Sequence, residues 1–390
     1  MRNTTVALKT CTEYTPNVVK TALQQCFDLL GGLASVIKPN HKVLIKPDLY
    51  CLTEPDMAKT SNPCIISALA EQIAKIGAKC IIADSPKGNF SQSNLDKTYS
   101  KTQMLQASND GNATLNTNNN IAIIHNARGE QCRDIYVMDA INDADVIVNV
   151  GKLRCDKRLG LVGCSKNLFG LVPGKFKTLV TSRCNTMESY CNYIIDLYES
   201  LEDKIVINVL DGVVGCECNN DPRILNTLIV GENPFAVDSL ALNIINQDIN
   251  ANTIIKESIR RDKFKPNFDI IGDNFEPLVC SDFNYTESNT YITNAPLIAK
   301  FQYNSLQKRP IISPKLCKGC NVCVANCPMK AINIENGKFG NIAKVDYTKC
   351  VSCFKCVDVC PYKIVQTKTP LRYKGIDKMI KKSTIDKNNV

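Results

Sequence analysis

A chain of 390 residues, 44% of them hydrophobic, can bury one large core or two ordinary ones beside a small terminal module. No run nears the roughly 18 consecutive apolar residues of a membrane helix, and the opening MRNTTVALKT has no apolar signal-peptide core, so a cytosolic protein without a membrane span is expected. The net charge of +9 is concentrated at one end: 17 Lys or Arg stand against 5 Asp or Glu from residue 301 onward, a local +12 that leaves the preceding residues near −3.

Up to residue 275, short β-branched runs alternate with longer periodic segments, the pattern of an α/β domain with a largely parallel sheet and flanking helices. In chain order, strands are expected at 42–46, 79–83, 145–150, 204–209 and 226–230, and helices at 17–30, 63–76, 187–201 and 234–247. Pro63 and Pro234 fall in first helical turns, where a missing N–H costs nothing. The strands run into polar or glycine-bearing turns such as Lys46-Pro47-Asp48, Asp84-Ser85-Pro86, Gly151-Lys152 and Asp211-Gly212, and open α/β sheets bind ligands outside such ends. Residues 86–120 read as a polar insertion with one short helix. A connecting segment over 276–310 leads to a small α+β ferredoxin-like domain at 311–365, and 366–390 form a basic tail with Lys378, Lys381 and Lys382.

Eight of the 21 cysteines lie in that small domain, as Cys317-x2-Cys320-x2-Cys323-x3-Cys327-Pro328 and Cys350-x2-Cys353-x2-Cys356-x3-Cys360-Pro361. In each run three thiolates at two-residue gaps wrap one face of a 4Fe-4S cubane, while the fourth, past a short helix, reaches the neighbouring cluster. The expected sets are therefore Cys317, Cys320, Cys323 and Cys360 for one cluster, and Cys350, Cys353, Cys356 and Cys327 for the other. Zinc also takes thiolates, but zinc ribbons bring two CxxC pairs across a long gap. Between the runs, alternation around Asn336-Gly337 predicts a hairpin. The remaining thirteen cysteines contain no CxxC; Cys216-Glu217-Cys218 comes nearest to a third metal site, against the plainer reading of free thiols. His41 and His125, the two histidines, are read as structural.

The segment 145–175 leaves a strand and crosses a loop presenting Lys166-Asn167 beside Gly170 and Gly174, with Lys152 and Lys175 nearby. Such a loop is either an anion cradle or a tight packing turn, and no Walker or GxGxxG pattern accompanies it. The stretches VLIKPDLY with Ser61-Asn62-Pro63, ADSPKGNF, NVGKLRCDKRLGLVGCSKNLFGLVPG, LDGVVGCECN and GENPFAVDSLALNII together resemble the prokaryotic family called domain of unknown function 362, which often carries a ferredoxin module. The resemblance implies an α/β fold and a redox setting. Where relatives of this kind show Lys-Thr-His, this chain has Arg154-Cys155-Asp156, which removes an imidazole from that position.

Asp48, Asp84, Asp211, Glu217 and Asp238 fall at expected strand ends or helix starts together with Lys46 and Lys166, against the plain reading of caps and turns. Lys166, Asn167, Asp211 and Glu217 are the candidate catalytic residues. The expected function is a reductase that passes electrons through two 4Fe-4S clusters to a small molecule bound in the α/β domain. A ferredoxin-like carrier with a protein-docking domain and a cluster assembly scaffold are the alternatives. Without a flavin or nicotinamide fingerprint, electrons are expected from a ferredoxin or flavoprotein partner, and the basic end suits an acidic one; nucleic acid is not expected.

Overall fold

The computed structural model describes residues 4–287 and 309–368, apart from residues 185, 328, 339, 348 and 351 and the side chain of Lys175. The basic tail beyond 368, the larger part of the connecting segment and Pro328 thus lie outside the described residues. The chain divides into two compact units, one of residues 1–121, 137–175 and 200–291, the other of 122–136, 176–199 and 292–390. Neither is continuous in sequence, whereas the linear reading placed all of 1–275 together.

The first unit is built on a nine-stranded, mostly parallel mixed sheet. Its strands are β1 (Val6–Thr10), β2 (Lys42–Pro47), β3 (Lys79–Ile82) and β4 (Thr114–Leu115). Beyond β5 (Ile121–His125) and β6 (Asp134–Met138), which pair separately, come β7 (Val146–Asp156), β8 (Gly160–Leu161), β9 (Ile205–Cys216), β10 (Pro222–Gly231) and β11 (Ile270–Gly272). The order across the sheet is β11-β1-β10-β9-β7-β2-β3-β4, with β8 hairpinned onto β7. β7, β2, β3 and β4 run parallel, as do β7 and β9, while β10 is antiparallel to both its neighbours. Strands covered on both faces need apolar residues at successive positions, which is why KVLIKP and VIVNV are buried almost throughout.

Helices α1 (Pro16–Leu29) and α2 (Pro63–Lys75) cover the sheet with Leu23, Phe27, Ile66 and Leu69. α2 starts where Asn62 accepts from the Cys64 N–H and Pro63 needs no partner. The polar insertion carries two helices, α3 (Gln92–Lys101) and α4 (Met104–Asp110), one more than expected, because Leu95, Tyr99, Met104 and Ala107 give each an apolar stripe. Next come α5 (Ala140–Asp143), α6 (Gly163–Asn167), α7 (Gly174–Arg183), α8 (Met187–Leu201), α9 (Pro234–Ile244) and α10 (Thr253–Arg260). Among the described residues no helix is long and apolar enough to cross a membrane.

β7 and β9 continue well past the apolar runs that predict them. Gly151-Lys152 and Asp211-Gly212, expected as turns, lie inside the strands, because Lys152 and Asp211 face each other in the ladder and neutralise each other there.

In the second unit Arg309–Ile312 pairs antiparallel with Val365–Lys368, and Ile332–Gly337 with Gly340–Val345. In the hairpin between the cysteine runs Asn336 and Gly337, expected as its turn, belong to the ladder instead, opposite Asn341 and Gly340. The module's core is small, with Ile312, Ile332, Ala343, Val345 and Val365 buried around Cys323 and Cys356. The turn at 130–132 is fixed by the buried Asp196 carboxylate, which accepts from the N–H groups of Glu130, Gln131 and Cys132. Arg133 pairs with Asp358 at 2.6 Å, and Arg183 donates to the carbonyls of Tyr347 (3.1 Å) and Cys350.

Candidate functional site

Two cavities in the second unit are lined by cysteine sulfur. One is bordered by Cys327, Cys350, Cys353 and Cys356 and closed by Met329, Ile332 and Phe354. The other is bordered by Cys317, Cys320, Cys323 and Cys360 and closed by Ile312, Ala343 and Val365. Each draws three cysteines from one run and the fourth from the other. Among the described residues, no three His, Cys, Asp or Glu side chains converge tightly enough for a single metal ion. Four soft donors around an apolar void have the chemistry of a multi-iron cluster's cradle.

Backbone N–H groups point at cluster sulfurs, Ala331 at Cys327 (3.2 Å), Ala343 at Cys317 (3.3 Å) and Ser352 at Cys350 (3.4 Å). N–H dipoles aimed at cluster thiolates favour added negative charge and raise the potential. Arg183 and Arg133 add positive charge around Cys350 and Cys353.

In the first unit, the sheet gathers its acids and lysines into a buried polar layer. Lys46, fully buried, pairs with Asp84 at 2.8 Å and donates to Asn167 Oδ1 at 2.9 Å. Asn167 in turn donates to Asn149 Oδ1 (2.9 Å) and the Val150 carbonyl (3.0 Å), and Asn149 donates to Asn208 (2.8 Å), its neighbour in the β7–β9 register. A Cβ at Gly170 would overlap Asp84 and Lys46, so only glycine lets the loop close over that pair. Ser61 joins this network to the next, accepting from the Asp48 N–H and donating to the Val150 carbonyl, both at 2.8 Å.

Asp48 pairs with Arg154 at 3.0 Å, and Arg154 stacks over the Tyr50 ring at 3.9 Å. Burial alone would raise the Asp48 carboxyl, but Arg154, Lys46 and Lys166 together hold it below its ordinary value. Lys152 donates to Asp211 and to the Tyr14 hydroxyl, both at 2.8 Å, and Tyr14 donates to Asp211 at 2.7 Å. Burial, then the Asp211 carboxylate, push the Tyr14 phenol far up. Asp238 accepts from the N–H groups of Cys164 (2.6 Å) and Ser165 (2.9 Å) and from the Ser165 hydroxyl, and burial pushes its carboxyl up to about 7 against those bonds.

Tyr14 and Asn62 also line a cleft of about 480 Å³ with Lys20, Cys64, Glu71 and Gln103, a size that takes a small metabolite.

The sequence candidates thus fall in different surroundings. Asn167 and Asp211 are enclosed in adjoining networks, connected where the Asn62 N–H reaches Asp211 at 3.0 Å. Lys166 is half-buried, its ammonium 4.9 Å over the Phe169 ring. Glu217 lies apart, 3.9 Å from Arg223. The loop glycines serve packing, with Gly170 O accepting from Ser85 N and Gly174 N donating to Ser85 Oγ. Tyr14 carried no signal, sitting in a polar loop before α1. Asn149 and Asn208 did carry one, as lone amides at matching places in VIVNV and IVINV. The reading of the other cysteines as free thiols is corrected at two positions: Cys155 and Cys218 are joined by a disulfide, with Cα atoms 4.7 Å apart, which takes Cys218 out of any third metal site with Cys216.

An α/β sheet domain accompanied by a module with two four-cysteine cradles defines an iron-sulfur protein. Residues 43–243 match the domain of unknown function called DUF362, and the chain belongs to that family. Residues 309–361 match a 4Fe-4S dicluster domain, so the chain carries two 4Fe-4S clusters as cofactors. A thylakoid-associated protein of Synechocystis sp. is 25% identical over 62% of this chain and 75% of its own length. A ferredoxin of Pyrobaculum islandicum is 39% identical over 15% of this chain, a match that spans 51% of that relative. The lactate racemase apoprotein of Thermoanaerobacterium thermosaccharolyticum aligns with a TM-score of 0.40 and 13% identity, over 60% of this chain and 56% of its own.

Proposed function

We propose that this chain is a cytoplasmic iron-sulfur reductase in which electrons taken from a ferredoxin or flavoprotein reach a small molecule bound in the α/β unit. The observation that carries the reading is the pair of cysteine-lined cavities. Cys317, Cys320, Cys323 and Cys360 hold one cluster, and Cys327, Cys350, Cys353 and Cys356 the other. Each cluster, when bound, takes up and releases one electron at a time. The cleft beside Tyr14 supplies the substrate volume, and a reduced substrate needs protons as well as electrons. The hydrogen-bonded unit of Lys152, Tyr14 and Asp211, which reaches the cleft wall through Tyr14, is where such protons can be held.

Anaerobically reconstituted protein, reduced with dithionite and followed at its iron-sulfur absorbance, tests this. Fractionated metabolites should accelerate reoxidation, and Tyr14→Phe should slow that acceleration at least tenfold while leaving iron content unchanged. Clusters that reduce normally yet reoxidise at one rate whatever metabolite is added would sink the reductase reading.

One observation favours a second reading, a carrier whose acceptor is a protein: Lys318, Lys355 and Lys363 are exposed beside the cluster cysteines. Reversing the charge of Lys355 and Lys363 should then slow electron exchange with an acidic partner and flatten its salt dependence.

A further inference from the structure

The Cys155–Cys218 bond brings together Arg154-Cys155-Asp156 and Cys216-Glu217-Cys218, two stretches separate in sequence. Cys155 lies at the end of β7, opposite Leu161 of β8, and Cys218 lies two residues past β9, its N–H donating to the Asn284 carbonyl at 3.0 Å. The bond therefore crosses between two parallel strands at their carboxyl ends, the side on which α/β sheets do their chemistry. Charge is built in around it. Cys216 sits opposite Arg154 in the ladder, Arg154 is locked between Asp48 and Tyr50, and Glu217 holds a buried oxygen, Oε1, that has no hydrogen-bond partner among the described residues.

Two observations argue that this bond opens and closes in use. The β7–β9 ladder, from Ile147 opposite Ile205 to Arg154 opposite Cys216, holds the strands together by backbone hydrogen bonds, so reduction leaves the two thiols in place, ready to close again. The same chain carries ferredoxin-type clusters, whose potentials reach below those of ordinary thiol–disulfide couples, and a disulfide in such company is within reach of reduction.

We propose that Cys155–Cys218 is a two-electron redox site fed by a low-potential iron-sulfur donor; the proposal rests on the reading that this chain relays such electrons. The Sγ–Sγ bond breaks as two electrons arrive singly from two reduced donor clusters, each of which is oxidised by one electron. Two protons enter from water, and the products are the Cys155 and Cys218 thiols. The pair thus collects single electrons into a two-electron, two-proton couple at the strand ends.

The test uses the full-length protein with its clusters. In air-equilibrated protein, mass spectrometry after denaturing alkylation should find the Cys155 and Cys218 peptides linked and unmodified. After anaerobic titration with a reduced ferredoxin, both should be alkylated, and the wild type should take up two electrons more than a Cys155→Ser/Cys218→Ser variant of equal iron content. Repeating the alkylation with a Cys323→Ser/Cys356→Ser variant distinguishes the source: a bond that now stays closed makes this chain's own clusters the donor, and one that still opens makes it the added ferredoxin. Both cysteines alkylating before reduction, or a linked peptide that persists once the clusters are reduced, overturns the proposal while sparing the relay. Clusters that accept no electrons overturn the relay reading and the donor assigned here with it. The first alkylation readout, on the wild type, needs no variant to fold.

Discussion

The polar layer of the sheet and the cysteine cavities of the module handle buried heteroatoms in opposite ways. In the sheet, Lys46, Asp84, Asn167, Asn149 and Asn208 satisfy one another through a closed set of hydrogen bonds, so that region is complete as the polypeptide alone. In the module, eight cysteines gather around two cavities, and backbone N–H groups reach Cys317, Cys327 and Cys350 among them. The sheet satisfies its polar groups with its own side chains, whereas the module arranges its sulfurs for iron.

The largest expected effect breaks that contrast on the module side. Because Cys323 and Cys356 are themselves part of a small core, stripping iron with a chelator and an oxidant should make residues 309–368 protease-sensitive while the sheet stays resistant. Limited proteolysis with peptide mapping checks this. A module as resistant without iron as with it would mean that the core folds unaided.

On the sheet side, removing one partner of a buried ion pair costs about 3–5 kcal/mol. Lys46→Met should lower stability by that amount in urea unfolding followed by tyrosine fluorescence, the chain having no Trp. An unchanged midpoint would show that the N–H groups of Leu49 and Ser85 suffice for the Asp84 carboxylate.

The effect that is smallest when read one pH unit at a time sharpens the comparison within the sheet unit. Asp238, pushed up from 3.8 to about 7 by burial, binds its proton more tightly folded than unfolded. Its contribution is therefore fully present below about pH 4 and is lost as the pH rises toward 7, with a slope of up to about 1.4 kcal/mol per pH unit. Urea midpoints across that window should fall with pH in the wild type and fall less in Asp238→Asn. Equal slopes would place the pH dependence elsewhere.

What the sequence disclosed follows the physics of spacing. The cysteine runs were readable because a cubane demands thiolates at fixed short intervals. β2, β3 and the apolar halves of β7 and β9 were readable because strands buried on both faces are continuously apolar. The polar halves of β7 and β9 were not, since Lys152 and Arg154 look like turn residues until Asp211 and Asp48 are placed opposite them. Tyr14 gains its role from Asp211, 197 residues away, and Cys155 meets Cys218 across 63 residues with no local pattern to announce either pairing.

The guanidinium of Arg183 has a consequence for anyone who would excise the ferredoxin-type module as a stand-alone cassette. It donates to the carbonyls of Tyr347 and Cys350, and Arg133 pairs with Asp358, yet both arginines are encoded far upstream of residue 309. A gene fragment cut at that boundary keeps all eight cluster cysteines and loses two of the contacts that the second run makes. In this protein the contacts of the cluster domain extend beyond its cysteine signature.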